Sequence, residues 1–171
     1  LIGGIVLGYI WQLIINGVLS SLGVTITYDP SYGFWGLVVL MNWQMIGYMM
    51  IIYIAGIGNI PKDLIDAAKV DGAGAAGILR HVIIPMVMPS VTICLFLTIT
   101  NAFKLFDANL ALTDGAPSRQ TAMLALDIYK TFYGAVGSQG TGQAKAVVFF
   151  LLLAVISLVQ LSFIRKREVD A

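Results

Sequence analysis

Long apolar runs separated by short polar segments dominate the hydrophobic pattern of this chain. The apolar runs lie at about residues 1–22, 34–57, 82–103 and 144–164. Each is close to the roughly 20 residues that an α-helix needs to cross the hydrocarbon core of a bilayer. The pattern therefore predicts an all-α membrane protein in which a bundle of transmembrane helices forms a single domain over residues 1–171.

The connections between the predicted spans differ in character. Residues 23–33 contain Asp29-Pro30 and Gly33, which is typical of a turn. Residues 59–81 carry charges of both signs and form the first long polar interruption. Residues 107–143 are polar and rich in glycine, and they include a candidate amphipathic helix at residues 124–133.

Composition supports the membrane assignment. The chain has 171 residues, of which 58% are hydrophobic and 11% are charged, whereas soluble domains have roughly 45–50% apolar and about 25% charged residues. The net charge of +1 and the short Arg-Lys-Arg segment near the end give no basis for nucleic-acid binding. A single Cys94 and a single His81 exclude an intrachain disulfide and the usual His/Cys metal clusters.

The start of the sequence lies inside an apolar run. Leu1 is preceded by neither an initiating Met nor a basic segment, so we expect an N-terminally truncated sequence, with at least one span upstream, and not a signal peptide.

Orientation follows from the distribution of Lys and Arg. The segment 59–81 contributes Lys62, Lys69 and Arg80, and the segment after the last span contributes Arg165, Lys166 and Arg167. Two spans separate these segments, so both lie on the same side, which the positive-inside rule assigns to the cytoplasm. Residues 107–143 are then extracytoplasmic.

Polar side chains inside or next to the predicted spans are candidates for a substrate path. Asn42 and Gln44 lie near the middle of the second span, where each amide needs a partner, either another helix or a polar pathway. Asn101, Lys104 and Asp107 recur at three-residue spacing, which predicts one polar helical face. That face is either a local Lys104–Asp107 ion pair or, with Asn101 and Asp107, the mouth of a translocation path.

Two further expectations concern the ends of spans. Pro85 and Pro89 suit the first turns of the third span, where they position its entrance more than they kink its centre. Lys145 can snorkel to the interface from the start of the fourth span.

The charged segment 59–81 predicts a helix from about Pro61 to Asp71 with Leu64, Ile65 and Ala68 on one side. Such a short helix needs a packing partner. Gly72, Gly74 and Gly77 then allow a sharp turn into a second helix that leads back to the membrane. The segment is either a lipid-surface helix, a structural loop or a knob for a soluble partner.

One spacing in this segment resembles a known family. Asp66-Ala67-Ala68, three residues, Gly72, nine residues and Val82-Ile83-Ile84-Pro85 are similar to the cytoplasmic loop of permease subunits in binding-protein-dependent ABC importers, written E-A-A, three residues, G, nine residues, I-x-L-P. The departures, Asp66 for Glu, Val82 for Ile and Ile84 for Leu, are conservative. The segment NAFKLFDANLALTDGAP and the final span resemble the sugar-permease branch of that family.

The resemblance implies a coupling helix that docks into a cytoplasmic ATPase whose closure switches the permease between inward-facing and outward-facing states. It implies four partners: cytoplasmic ATP-binding subunits, a second permease subunit, an extracytoplasmic solute-binding protein and the lipid bilayer of a prokaryotic cytoplasmic membrane. The residues that it assigns to ATPase coupling are Leu64, Asp66, Ala67, Ala68, Asp71, Gly72, Ala73 and Pro85.

Other function classes have less support from the residues. Residues 72–77 match G-x-G-x-x-G but have no preceding strand, and a P-loop motif is missing from the sequence, so we expect no cofactor in this chain and ATP hydrolysis in a separate subunit. The alternative function is a channel or ion-coupled transporter without an ATPase, which normally needs titratable groups inside the spans. An enzyme is not expected, because no nucleophile–base set is evident.

Overall fold

The computed structural model describes residues 3–169, with side chains described over residues 3–162. Within that part of the chain the helices are α1 (Gly4–Leu19), α2 (Pro30–Gly58), α3 (Lys62–Val70), α4 (Ala75–Ile78), α5 (Ile84–Phe103), α6 (Asp107–Leu112), α7 (Leu124–Gly134) and α8 (Gln139–Val169). A 3-10 turn, Ser20–Leu22, follows α1, and a π-helical turn, Leu79–Ile83, joins α4 to α5. The described residues contain no strand, and the predicted all-α class is confirmed.

Four helical segments are long and apolar enough to cross a membrane: Gly4–Leu22, Pro30–Gly58, Ala75–Phe103 and Gln139–Ser162. Most of their large apolar side chains are exposed in the single chain, as expected for surfaces that face lipid or other membrane helices. Each segment overlaps one of the predicted spans, and the depth at which each crosses the bilayer stays a prediction.

The third of these segments corrects the expectation about its prolines. The helix is continuous from Ala75, so Pro85 and Pro89 lie inside it and not in its first turn. Pro85 has no N–H to offer the carbonyl of His81, and its ring would press on that carbonyl. The π-helical turn directly before it, closed by the Ile84 N–H and the Leu79 carbonyl, widens the helix where a regular turn would clash.

The chain forms two compact units. The first contains the described residues up to Gln44 together with Thr100–Val155, and the second contains Met45–Ile99 and the described residues from Ile156. The core of the first unit consists of buried apolar side chains from the loop after α1, from α2 and from α6, namely Ile26, Leu37, Leu40, Ala108 and Leu112.

The loop that leads into α2 is tied down at two points. The Ile26 N–H donates to Asn16 Oδ1 over 2.8 Å, which holds the buried Ile26 against the end of α1. The Ser31 N–H donates to Asp29 Oδ1 over 2.8 Å at the start of α2. This hydrogen bond favours the carboxylate and lowers the pKa of Asp29.

Helix α1 crosses α6 through small residues. A Cβ on Gly4 would lie 2.9 Å from Asp107 Cβ, and one on Gly8 would lie 2.8 Å from Ala111 Cβ. Gln12, one further turn along, donates from Nε2 to the Leu112 carbonyl over 3.0 Å. The Gly-x-x-x-Gly spacing thus lets two backbones approach closely, as in other membrane helix pairs.

We expect Gly8→Val to destabilise the first unit by about 1–3 kcal/mol, because the added side chain overpacks the crossing with α6. The matched control is Gly17→Val in the same helix, since a Cβ at Gly17 meets no atom within 4 Å. Thermal unfolding of the two purified variants in detergent checks the prediction. Equal melting temperatures would show that the crossing does not constrain the fold.

The second unit has its own close contact between helices. A Cβ on Gly56 of α2 would collide with the Ser90 side chain of α5, so Gly56 and the buried Ser90 and Val87 mark the place where these helices touch. Ile60, just after α2, is also buried. The segment 59–81 therefore starts from an anchored point.

Candidate functional site

Helix α3 lies largely exposed in the segment 59–81. It covers Lys62–Val70, one residue shorter at each end than predicted, with Pro61 and Asp71 as its flanking residues. Ile65 and Ala68 are half-buried, whereas Leu64 is 44% and Val70 is 87% exposed. A short helix that leaves apolar side chains in the open offers a surface to a partner.

Gly72 ends α3 in the left-handed conformation. Its φ of +81° lies in a region that residues with a Cβ rarely occupy. The Gly72 N–H donates to the Lys69 carbonyl over 3.0 Å, and the Ala73 N–H donates to the Ala68 carbonyl over 2.9 Å. These two bonds form a Schellman motif, which satisfies carbonyls at the helix end and reverses the chain.

The spacing between Ala68 and Gly72 is therefore set by backbone geometry. In this motif the residue in the left-handed conformation follows four positions after the carbonyl that accepts the outer bond. Ala68 is that acceptor and Gly72 is that residue. The predicted sharp turn at Gly72 is confirmed, and it fixes the direction in which the chain leaves α3.

The structure places the predicted coupling residues on one short stretch, except Pro85. Ala68 and Ala73 are half-buried, and the other six are exposed: Leu64, Asp66, Ala67, Asp71, Gly72 and Pro85. Asp66 Oδ1 and Lys69 Nζ are 2.8 Å apart, with both side chains more than half exposed. An exposed pair of this kind adds little stability, so both charges are available at the surface.

In the part of the segment that leads back to the membrane, Gly74 and Gly77 do not have the left-handed conformation of Gly72. Gly74 precedes α4 with extended backbone angles, φ −73° and ψ 171°, and a Cβ there would meet no atom within 4 Å. His81 is exposed, and its Nδ1 lies 3.1 Å from the Gly77 carbonyl. Of the three glycines, only Gly72 has a backbone conformation that strongly favours glycine.

The two amides of the second predicted span point in different directions. Asn42 Nδ2 donates to the Val38 carbonyl of its own helix over 2.8 Å, and both Asn42 and Gln44 are exposed. Two positions along an α-helix differ by about 200° around its axis. Trp43, between them, contacts Trp11 of α1 with ring centroids 5.6 Å apart. A pathway on one side of α2 therefore meets one of these amides and not both.

The predicted polar face of Asn101, Lys104 and Asp107 is wrong. Helix α5 ends at Phe103, and Asp107 begins α6, so the three residues do not share a helix. Among the described residues no ion pair joins Lys104 to Asp107. The chain leaves the axis of α5 because the apolar residues of the following segment pack into the core of the first unit, and Asp107 instead lies against Gly4.

The sequence does not predict that the amide side chain of Asn109 in this region is buried. Asn109 is 0% exposed, and its side chain makes three hydrogen bonds. Nδ2 donates to the Thr121 carbonyl over 2.9 Å and to Thr113 Oγ1 over 3.0 Å, while Oδ1 accepts from the Met123 N–H over 2.8 Å. Asn109 thus closes the loop between α6 and α7, and no local pattern distinguishes it from an exposed polar residue.

Lys145 has polar partners on a neighbouring helix. Its Nζ lies 2.6 Å from Asp127 Oδ2 and 2.9 Å from Thr131 Oγ1, and its snorkelling to the membrane interface stays a prediction. Both acceptors belong to α7, the helix predicted at residues 124–133 and observed at Leu124–Gly134. The described residues contain no group of three or more His, Cys, Asp or Glu side chains suited to a metal ion.

These features define a class of protein. The chain is a multi-pass membrane protein with an exposed, Schellman-capped helix between its second and third apolar segments. Residues 3–169 match the family model described as "Binding-protein-dependent transport system inner membrane component". The chain belongs to this family, which confirms the resemblance.

Several relatives are named as permeases. The "Probable starch degradation products transport system permease protein AmyD" of Thermoanaerobacterium thermosulfurigenes is 48% identical over 99% of this chain and 61% of its own length. The "Trehalose/maltose transport system permease protein MalF" of Thermococcus litoralis is 30% identical over 90% of this chain and 52% of its own length. The "Sulfoquinovosyl glycerol transport system permease protein SmoG" of Agrobacterium fabrum is 30% identical over 91% of this chain.

The chain therefore spans between half and two thirds of the length of these relatives. It covers 61% of AmyD, 52% of MalF and 51% of SmoG.

Proposed function

We propose that this chain forms part of the transmembrane subunit of an ATP-coupled importer for a sugar or a related polyhydroxylated nutrient. The family membership supports a transport role, and the substrates in the names of the three relatives are starch degradation products, trehalose or maltose, and sulfoquinovosyl glycerol. The proposed partners are cytoplasmic ATP-binding subunits, a second permease subunit and an extracytoplasmic solute-binding protein. The chain itself is a transport subunit and not an enzyme.

The observation that carries the proposal is the exposed helix α3 with its fixed C-terminal turn. We propose that α3 docks on the ATPase with Leu64 and the small Ala67 in contact with the partner, while the Schellman motif at Gly72 transmits force to the following helix. Bound nucleotide would then move α5, because Gly74, α4 and the π-helical turn lead directly into it. The docking set is the one predicted from the sequence: Leu64, Asp66, Ala67, Ala68, Asp71, Gly72, Ala73 and Pro85.

The test of this function is uptake into proteoliposomes that contain the complete importer. We expect uptake of a radiolabelled maltodextrin or another sugar of a panel only when the ATP-binding subunits and ATP are both present. A channel or ion-coupled transporter would still pass the sugar without the ATPase, and that result would replace the proposal with the alternative class.

For orientation, we propose that α3 faces the cytoplasm and residues 107–143 face the opposite side. Lys62, Lys69 and Arg80 support this assignment. With Cys94 replaced by Ala, a cysteine at the exposed Ala76, which lies in the same segment but outside the proposed docking set, should react with a membrane-impermeant maleimide only after the cells are opened. A cysteine at the fully exposed Val136, between α7 and α8, should react in intact cells, and the reverse pattern would invert the topology.

Of the candidate path residues Asn42, Gln44, Asn101 and Asp107, we propose that the substrate path uses only one of the two α2 amides, Asn42 or Gln44. Because Asn42 and Gln44 lie about 160° apart around the axis of α2, we expect only one of Asn42→Ala and Gln44→Ala to raise the KM for uptake by roughly fivefold or more, the effect of losing about one hydrogen bond to the sugar. Each variant serves as the control for the other. Unchanged uptake in both, and in Asn101→Ala and Asp107→Ala, would remove these residues from the path.

A further inference from the structure

A single cation joins α7 to the start of α8. Lys145 Nζ contacts Asp127 Oδ2 at 2.6 Å and Thr131 Oγ1 at 2.9 Å. Thr131 Oγ1 donates its own proton to the Asp127 carbonyl over 2.7 Å, so it accepts from Lys145. The two acceptors lie one turn apart on the same face of α7. We call these three residues the α7–α8 clasp.

The backbones of the two helices also touch beside the clasp. Gly142 lies about one turn before Lys145 on α8 and is buried, and a Cβ there would lie 2.8 Å from Phe132 Cα. In the connecting turn, Ser138 Oγ donates to the Thr131 carbonyl over 2.6 Å. The hairpin of α7 and α8 therefore has one defined register.

The ionic pair lines part of an apolar groove of about 380 Å³. The apolar lining includes Leu124, Ile128, Val148, Phe149 and Leu152. The side chains of Lys145 and Asp127 are 41% and 31% exposed. A partly exposed ion pair of this kind adds little stability by itself, because solvent screens the two charges. The contacts of Lys145 with Asp127 and Thr131 fix the rotation of α7 about its own axis, because both acceptors lie on one face of α7.

We propose that Asp127, Thr131 and Lys145 are positioning residues that bind α7 to the last helix, so that both move as one body when the permease alternates between its conformations. The inference rests on the proposed transport function. One consequence concerns the opposite face of α7, where Tyr129 and Tyr133 are 44% and 70% exposed. The clasp sets the direction in which this aromatic face points, and no clasp residue needs to touch the sugar.

The experiment measures the distance between α7 and α8 in the complete importer in nanodiscs. Spin labels replace Tyr133 and the exposed Leu151 in a Cys94→Ala background, and electron paramagnetic resonance gives the distance distribution. We expect one narrow distribution that is the same without nucleotide and in the ATP-trapped state. Lys145→Met should broaden it and lower the number of sugars taken up per ATP hydrolysed several-fold.

Two further variants separate positioning from simple folding damage. The exchange Asp127→Lys with Lys145→Asp restores the pair with reversed charges and should recover the narrow distribution and the transport ratio, while Lys145→Arg should change neither. A narrow distribution in Lys145→Met, or a broad or nucleotide-dependent one in the unsubstituted clasp, would overturn the proposal. The distance readout needs no transport, so it judges the clasp separately from the proposed function.

Discussion

Gly72→Val is expected to lower ATP-driven uptake roughly tenfold or more while the permease still inserts and folds. Gly72 has a φ of +81°, and a β-branched residue held there costs about 1–3 kcal/mol. The loop would relieve this strain by changing its conformation, which breaks the hydrogen bonds from the Gly72 and Ala73 N–H groups to the end of α3. Because each 1.4 kcal/mol is about a factor of ten in an equilibrium, most loops would then present α3 in a direction that does not fit the ATPase.

The control for this prediction is the same substitution two residues later. Gly74 has extended backbone angles that valine adopts readily, and a Cβ there meets no atom within 4 Å. Gly74→Val should retain most of the uptake and the association with the ATP-binding subunits, measured by co-purification. If Gly72→Val assembled and transported as well as Gly74→Val, the turn at Gly72 would have no part in coupling.

Asn109→Ala is expected to lower the free energy of unfolding of the first unit by about 2–5 kcal/mol. The substitution leaves the Thr121 carbonyl and the Met123 N–H without their partner, and each unsatisfied buried group costs about 1–3 kcal/mol. The loss should appear as a lower melting temperature and as proteolysis of the loop between α6 and α7.

Asn42→Ala provides the matched comparison, since it removes the same kind of amide from an exposed position, where Asn42 donates to the Val38 carbonyl of its own helix. We expect its melting temperature to stay within about 2 °C of the unsubstituted protein, because exposed substitutions usually change stability by less than about 0.5 kcal/mol. Similar losses in both variants would mean that the buried hydrogen bonds of Asn109 are not what holds the loop.

The sequence predicts those features that depend on local composition or on spacing along one helix. Apolar length alone located the four long helical segments. Among the glycines of the first run, Gly4 and Gly8 lie at close helix contacts, whereas a Cβ at Gly3 or Gly17 would meet nothing within 4 Å. The turn at Gly72 was predictable because a Schellman motif needs only neighbouring residues.

The failures concern contacts between residues distant in sequence. The face of Asn101, Lys104 and Asp107 assumed one helix, and the packing of the next segment into the core broke that helix. Lys145 finds its partners on α7, and a single sequence does not say which acidic residue a cation will meet. The partner of a buried polar group is set by tertiary packing, which local spacing does not encode.

The most direct test of the coupling proposal is cross-linking between α3 and the ATP-binding subunits in the complete importer. Ala67→Cys is introduced with Cys94→Ala and joined to single cysteines placed around the proposed docking cleft of the ATPase. We expect efficient cross-links from Ala67, with a yield that changes when ATP is trapped, and none from a cysteine at Val136. No cross-link from Ala67, or an equal one from Val136, would contradict the assignment of α3 as the coupling helix.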